Sequence, residues 1–493
     1  MRRASSGVAW GQAGRITEVA LGLAFSVLVV RKLGDQAYGT YALLYSLIGV
    51  TSVLCSLGLN EAVSKYLPIV ATQGEEGQVG YLVRATVAYR LLFTLVGSIV
   101  LYLSCGFLAG VFQNTAISDL AFLIVAVFAL QNTTDLLASF YVSYLRVKTY
   151  YLVRLVNQSL SLVLVLILFS LWGPSVFLVL TTVLLTTAVA GCLYLLGART
   201  ALRREPVEID LAPVRRFALY IWLINLVTFG LGSQIDTLLV AYFLKDAAQI
   251  AYYNVAMMIV TRLYTVLTGW TIVLVPSLSE AFAKGGKEGL ARASDLCFKL
   301  HVGVMLPALA FVGLRSDGLI NLVFGTSYHP SSILLTVFAL LTIGGAYALS
   351  GPVLNVLYVT GGEKIVVWLR VVTGSLNILL DILLIPPLGA MGAILATGIS
   401  VLVTGISELF MARRQASIKY PVVFVSKITV ATALAILAIA WVAATDWSMM
   451  LVSGALYSIV LVVALLVLKP LATQDKELAT LASKYVGALV RYF

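Results

Sequence analysis

The chain has 493 residues, 60% of them apolar and only 11% charged, with a mean hydropathy of +1.00. A soluble domain is about half apolar and about a quarter charged, so no single water-soluble core can hide this sequence and lipid must solvate most of it. The net charge of +11 resides in basic residues set between apolar runs, which points to lipid head groups and topology control and away from nucleic acid.

The N-terminus begins Met1-Arg2-Arg3 and then turns apolar, in the manner of a signal peptide. Its apolar stretch runs to Val30, contains Arg15 and Glu18 and has no convincing cleavage site, so it is expected to remain as a first membrane helix. Runs of roughly 20 residues are needed to cross the hydrocarbon core as helices. They fall at 7–30, 39–67, 81–105, 117–145, 150–172, 175–197, 217–244, 250–276, 297–322, 331–359, 365–385, 389–411, 424–444 and 448–468, about fourteen in all. Trp172-Gly173-Pro174 and Ile385-Pro386-Pro387-Leu388-Gly389 mark tight turns between them. The tail 471–493 is too polar to cross. Leu478, Leu481, Tyr485, Leu489 and Tyr492 share one helical face, the pattern of an interfacial helix on the cytoplasmic leaflet.

Charge tests this count. With Arg2 and Arg3 inside, the even-numbered connections carry Arg146 and Lys148, then Arg199 to Arg216, Lys284 to Arg292, Lys364, and Arg413 to Lys419. The opposite side has only Arg31, Lys32, Lys245 and Arg315. A miscounted helix would scramble that asymmetry, so both termini are expected to be cytoplasmic. The four cysteines show no CxxC spacing, and His301 and His329 are the only histidines, so neither a disulfide framework, a metal site nor a cofactor is expected.

The chain also repeats itself at an offset of about 212–216 residues. Trp10 matches Trp222, Arg154 and Ser159 match Arg370 and Ser375, and Gly173 matches Gly389. The expected organisation is two six-helix lobes, 1–200 and 201–415, followed by two additional helices within 416–470 and the tail 471–493. Parallel halves of this kind place a substrate path at their interface, opened alternately to either side.

Four segments carry a resemblance. Leu33-Gly34-Asp35-Gln36-Ala37-Tyr38-Gly39-Thr40-Tyr41, Leu57-Gly58-Leu59-Asn60-Glu61-Ala62, Ser233-Gln234-Ile235-Asp236-Thr237-Leu238-Leu239, and Leu376-Asn377-Ile378-Leu379-Leu380 with the following Ile385–Ala393 resemble polysaccharide-biosynthesis flippases. These are Wzx-type members of the multidrug/oligosaccharidyl-lipid/polysaccharide (MOP) exporter superfamily. The resemblance implies an all-α, MATE-like membrane fold in the inner membrane. It also implies flipping of undecaprenyl-diphosphate-linked oligosaccharide to the outer leaflet, beside a polysaccharide polymerase or ligase.

Ionisable groups at membrane depth usually face a protein interior or water-filled cavity, and arginine can grip a diphosphate. Arg15, Arg90, Arg262, Arg370 and Arg154 are the candidate cavity cations. Arg15 shares a helical face with Glu18, which either moderates it or neutralises it as a structural pair. Arg262 lies near the middle of span eight, roughly 18 Å from either end. Arg154 and Arg370 are near enough to the cytoplasmic face to snorkel, and Lys65 and Arg84 are nearer still. Glu18, Asp236 and Asp381 are the candidate coupling or gating acids, and Asp135 and Glu408 are buried by the same arithmetic. For Asp236 a hydrogen bond to Asn225 or Gln234 is the structural alternative.

Two other functions compete. A cation-coupled multidrug or small-solute exporter of the same fold should be dominated by acids and aromatics, and the deep arginines point the other way. A membrane glycosyltransferase or polymerase needs a catalytic pair and a sizeable outer domain. No Walker A, HExxH or paired-carboxylate motif is present, and an enzyme is not expected.

Overall fold

The computed structural model describes residues 2–470 apart from 74–75, 144–145, 204–206, 230–231, 269–273, 417 and 444–445, and omits the side chains of 2–13, 15–16, 73, 76, 147, 200–203, 227–229 and 274–277. The expected amphipathic tail 471–493 lies outside the described residues. The chain divides into two compact units, Met1–Ala251 and Tyr252–Phe493.

The first unit holds α1 (Arg2–Ser56), α2 (Leu59–Gln73), α3 (Glu76–Phe112), α4 (Ala116–Asp119), α5 (Ala121–Ser143), α6 (Val147–Trp172), α7 (Val176–Arg203), α8 (Ala212–Phe229), α9 (Ser233–Leu244) and the start of α10 (Ala247–Leu267). An unbroken α1 would be about 80 Å long, far beyond a hydrocarbon core of about 30 Å. It is two helices, 2–33 and 35–56, because Gly34 leaves helical geometry at φ 76, ψ 172. A second break at Leu57 (φ 48) and Gly58 (φ 63) separates α1 from α2. A Cβ at Gly58 would fall 2.2 Å from the Ala218 carbonyl oxygen, so glycine also lets α8 approach this break. Leu67, Leu82, Leu136 and Tyr194 form part of the packed interior that joins α2, α3, α5 and α7.

The second unit holds the rest of α10, then α11 (Leu274–Leu314), α12 (Ser316–Val323), a 3₁₀ turn (Thr326–Tyr328), α13 (Ser331–Tyr347), α14 (Pro352–Val359), α15 (Glu363–Leu388), α16 (Ala390–Ala416), α17 (Val422–Ile439) and α18 (Trp447–Leu468). α11 is interrupted at Gly286 (φ 57), and the segment between α13 and α14 turns at Leu349 (φ 59) and Gly351 (φ 99). Phe298, Val302, Val353, Leu357 and Ala412 pack together at its centre. The last two helices are fastened to α11. The Tyr457 hydroxyl donates to the Pro307 carbonyl at 2.8 Å, and Arg315 donates to Ser453 Oγ at 2.8 Å and to the Ile439 carbonyl.

Among the described residues twelve helices are long and apolar enough to cross a membrane. α1 enters that number once although Gly34 divides it into two arms, and the apolar α9 is too short to be counted. Two glycines matched in the sequence end their helices in the same way. Gly173 (φ 78) ends α6 by donating to the Phe169 carbonyl, and its sequence match Gly389 (φ 63) ends α15 by donating to the Ile385 carbonyl. Peripheral helices leave large apolar side chains open, among them Leu103, Phe107 and Val467 at 73–75% exposure, which is surface that only lipid can cover.

Candidate substrate site

The first unit builds its polar site from helices far apart in sequence. Arg90, on α3, is 1% exposed and donates from Nη1 to Asn132 Oδ1 and from Nη2 to Asn60 Oδ1, both at 2.7 Å. Asn132 donates in turn to Thr94 Oγ1 at 2.6 Å, so the α5 amide is oriented to accept from the guanidinium. Arg90 Nε is buried without a hydrogen-bond partner. The acidic neighbours whose field Arg90 feels are Asp135 and Glu61, and Glu61 accepts from Asn225 Nδ2 at 3.2 Å.

Asp135 connects this cluster to a second. It lies in the middle of α5 yet is exposed, beside Arg90 and Arg154. Its carboxylate thus lies in the field of both guanidinium groups. Arg154, on α6, donates from Nε to Glu18 Oε1 at 2.6 Å and also reaches that oxygen from Nη2. It is only 38% exposed, and its guanidinium lies 5.7 Å from the Tyr150 ring. Tyr150 stacks at 6.5 Å on Tyr194, whose hydroxyl donates back to the Tyr150 carbonyl. Glu18 is therefore paired across helices to Arg154. The side chain of Arg15, the partner that helical spacing offers it, lies outside the described residues.

The second unit has its own pair. Arg370 Nη2 donates to Glu408 Oε1 at 2.9 Å, joining α15 to α16. Glu408 is 1% exposed. The matched residues Arg154 and Arg370 thus both meet a carboxylate from another helix, and the acids themselves are not related by the repeat. Asp381 and Asn377 are fully buried on α15, with Asn377 Nδ2 donating to Asp381 Oδ2 at 3.1 Å. Arg370 and Asp381 share a helix face and belong to different pairs.

Arg262 is half-buried and makes no hydrogen bond or ion pair among the described residues. It stands on α10 five residues before Leu267, and residues 269–273 of the same apolar run lie outside the described residues. Asp236, in the first turn of α9, is fully buried. Asn225 is engaged with Glu61, and Gln234 lies against Gly49 of α1.

Sequence reasoning missed Asn60, Glu61 and Asn132 as site residues. The signal was present in Leu57–Ala62, where two polar residues interrupt an otherwise apolar run, but spacing within one helix cannot show that Asn60 holds a cation of the next. Among the described residues no group of three or more histidine, cysteine, aspartate or glutamate side chains is arranged to hold a metal.

Among the described residues, twelve helices long and apolar enough to cross a membrane, with arginines paired to carboxylates of other helices, define the class of polytopic membrane proteins. The family comparison makes this specific: residues 6–282 match the polysaccharide biosynthesis protein family. The chain belongs to that family, and its long apolar helices make it a multi-pass membrane protein. Its fold is similar to that of the lipid II flippase MurJ in an inward closed conformation, with a TM-score of 0.72 at 16% identity over 92% of this chain and 97% of that one. It is also similar to an inward-facing multidrug resistance MATE family transporter of the MOP superfamily (TM-score 0.66, 14% identity, 81% and 94% covered). The MATE transporter VcmN of Vibrio cholerae, as its D35N mutant, aligns at a TM-score of 0.58 and 14% identity, covering 84% and 97%. An uncharacterized membrane protein of Methanocaldococcus jannaschii, MJ1068, is 24% identical over 183 residues, so the match spans about a third of each chain (37% and 36%).

Proposed function

We propose that this transporter is a Wzx-type flippase that carries undecaprenyl-diphosphate-linked oligosaccharide from the cytoplasmic to the outer leaflet of the inner membrane. The observation that carries the reading is a set of arginines held within membrane helices of a polysaccharide-biosynthesis family member, above all Arg90 with its buried, unpartnered Nε. No bond is made or broken. The task is to lower the cost of moving a diphosphate and a polar glycan through hydrocarbon, and fixed guanidinium groups do so by replacing water around the phosphate oxygens.

In this reading Arg15, Arg90, Arg154, Arg262 and Arg370 face the diphosphate in turn as access alternates. Glu18 and Glu408 hold Arg154 and Arg370 when no phosphate is present, so substrate binding exchanges one anionic partner for another and no bare cation is left in the membrane. Asp236 and Asp381 serve coupling or gating. Both termini face the cytoplasm, and a polymerase or ligase consumes the product on the far side. The fully buried Asp236 and Asp381 also favour a second reading, a cation-coupled exporter of organic cations.

The test is translocation of a fluorescent polyprenyl-diphosphate oligosaccharide in proteoliposomes, with Arg154→Ala and Arg262→Ala alongside wild type. Translocation by wild type that falls about tenfold or more in folded variants is the expected result, each lost charged contact raising the barrier by about 1.5–3 kcal/mol. Absence of wild-type translocation together with ion-driven uptake of an organic cation overturns the flippase reading in favour of the exporter.

A further inference from the structure

A separate cavity of about 620 Å³ lies at the junction of α2 and α8 in the first unit, within the size range of small-molecule sites. Tyr66, Asp210, Pro213, Arg216, Phe217 and Tyr220 line it. The Tyr66 and Phe217 rings meet edge to face at 5.8 Å. Lys65 Nζ stands 4.0 Å from the Phe217 centroid and 5.2 Å from that of Tyr66, which holds an ammonium against the aromatic wall. Arg216 is exposed and makes no hydrogen bond or ion pair among the described residues. The one acid on the wall, Asp210, has Oδ1 occupied by the Ala212 amide at 2.8 Å.

The rim next to this cationic wall is apolar. Leu219, Tyr220 and Leu223 on α8 are 52–55% exposed, and Ile69 on α2 is 41% exposed. Water would not favour that combination, and an amphipathic ligand with an anionic head would. Charge asymmetry in the sequence sets α8's Arg215 and Arg216 on the cytoplasmic side, where anionic lipids concentrate.

We infer that this pocket binds the phosphate of a lipid head group. Arg216 grips two phosphate oxygens with its planar fork and Lys65 adds a point charge. Tyr66, Phe217 and Tyr220 cover the first carbons beyond the phosphate, and the acyl or prenyl chain lies along the exposed apolar face of α8. The inference rests on the membrane location of these helices and not on flipping. The phosphate has two sources, a bilayer phospholipid or the polyprenyl diphosphate of the proposed substrate.

Native mass spectrometry of the full-length protein in detergent separates them. Phosphatidylglycerol, glycan-free polyprenyl diphosphate and phosphatidylcholine are titrated separately onto wild type, Arg216→Gln, Lys65→Gln and Arg216→Lys. At least one of the two anionic lipids is expected to bind more tightly than phosphatidylcholine and to lose about tenfold in affinity in Arg216→Gln, with Arg216→Lys between wild type and Arg216→Gln. Preference for phosphatidylglycerol assigns a resident bilayer lipid, and preference for polyprenyl diphosphate assigns substrate docking. Arg216 is on the surface, so its variants carry the test even if Lys65→Gln does not fold. Equal affinity of wild type and Arg216→Gln for both anionic lipids, or no preference over phosphatidylcholine, overturns the inference. Because binding and translocation are read separately, either result leaves the flippase assay to be judged on its own.

Discussion

A buried guanidinium has five N–H donors and nowhere to hide them, so the way each arginine is satisfied says what it is for. Arg90 spends Nη1 and Nη2 on two asparagines and keeps Nε unpartnered, a cost of about 1–3 kcal/mol that a purely structural residue would have been free to avoid. Arg154 directs Nε and Nη2 to Glu18 instead. Glu18→Gln and Arg154→Gln should each lower thermal stability in detergent, and the double variant should lose less than the sum. A double-mutant cycle should return a coupling of about 1 kcal/mol, and strict additivity would dissolve the pair. This pairing could not be seen in the sequence, because its members are 136 residues apart and helical spacing compares only residues of one helix. What could be seen was depth. Arg90 and Glu408, picked out because they lie well inside apolar runs, are both 1% exposed, whereas Asp135, picked out in the same way, is exposed.

Helices and their ends were the most legible level. Apolar runs give their length to the bilayer, and Gly173 and Gly389, which match in the sequence, both end helices with positive φ. The interruptions inside spans were not legible in the same way. Nothing in the composition around Leu57-Gly58 separates a turn between helices from a break within one, and only the approach of the Ala218 carbonyl explains why glycine stands there. Gly58→Ala should therefore cost about 1–2 kcal/mol from the left-handed backbone alone, and more from the clash, measured as a fall in melting temperature relative to Gly285→Ala, where a Cβ meets open space. The start of α18 offers a pH handle outside the membrane. Asp446 caps that helix by accepting from the Met449 amide at 2.8 Å, and this bond, with one from Ser448, holds its carboxyl below the usual range. The folded form thus prefers the carboxylate. The stabilisation is complete above the unfolded-state pKa of about 4 and disappears as pH falls through the lower folded value. Hydrogen exchange at Met449 should accelerate on acidification over that window beyond its intrinsic pH trend, and Asp446→Asn should flatten the response.

For the whole molecule, the charge asymmetry yields a topology that can be measured. In a cysteine-free background, Asp35→Cys and Asp246→Cys should react with a membrane-impermeant maleimide from outside intact cells or spheroplasts. Lys364→Cys should react only after the membrane is opened. Labelling of Lys364→Cys from outside would invert the protein and with it the direction of the proposed flip. The all-helical membrane architecture was readable because apolar runs of spanning length recur along the entire chain. The substrate is not encoded at that scale: a fold shared with lipid flippases and multidrug exporters at 14–16% identity leaves the choice to a handful of side chains.

The fastening of α17 and α18 to Arg315 also bears on how the protein is made. Arg315 leaves the ribosome 124 residues before the Ile439 carbonyl and 138 before the Ser453 hydroxyl that will receive its protons. A chain that ends before α17 lacks both of these acceptors, so Arg315 loses its hydrogen bonds to Ile439 and Ser453 together.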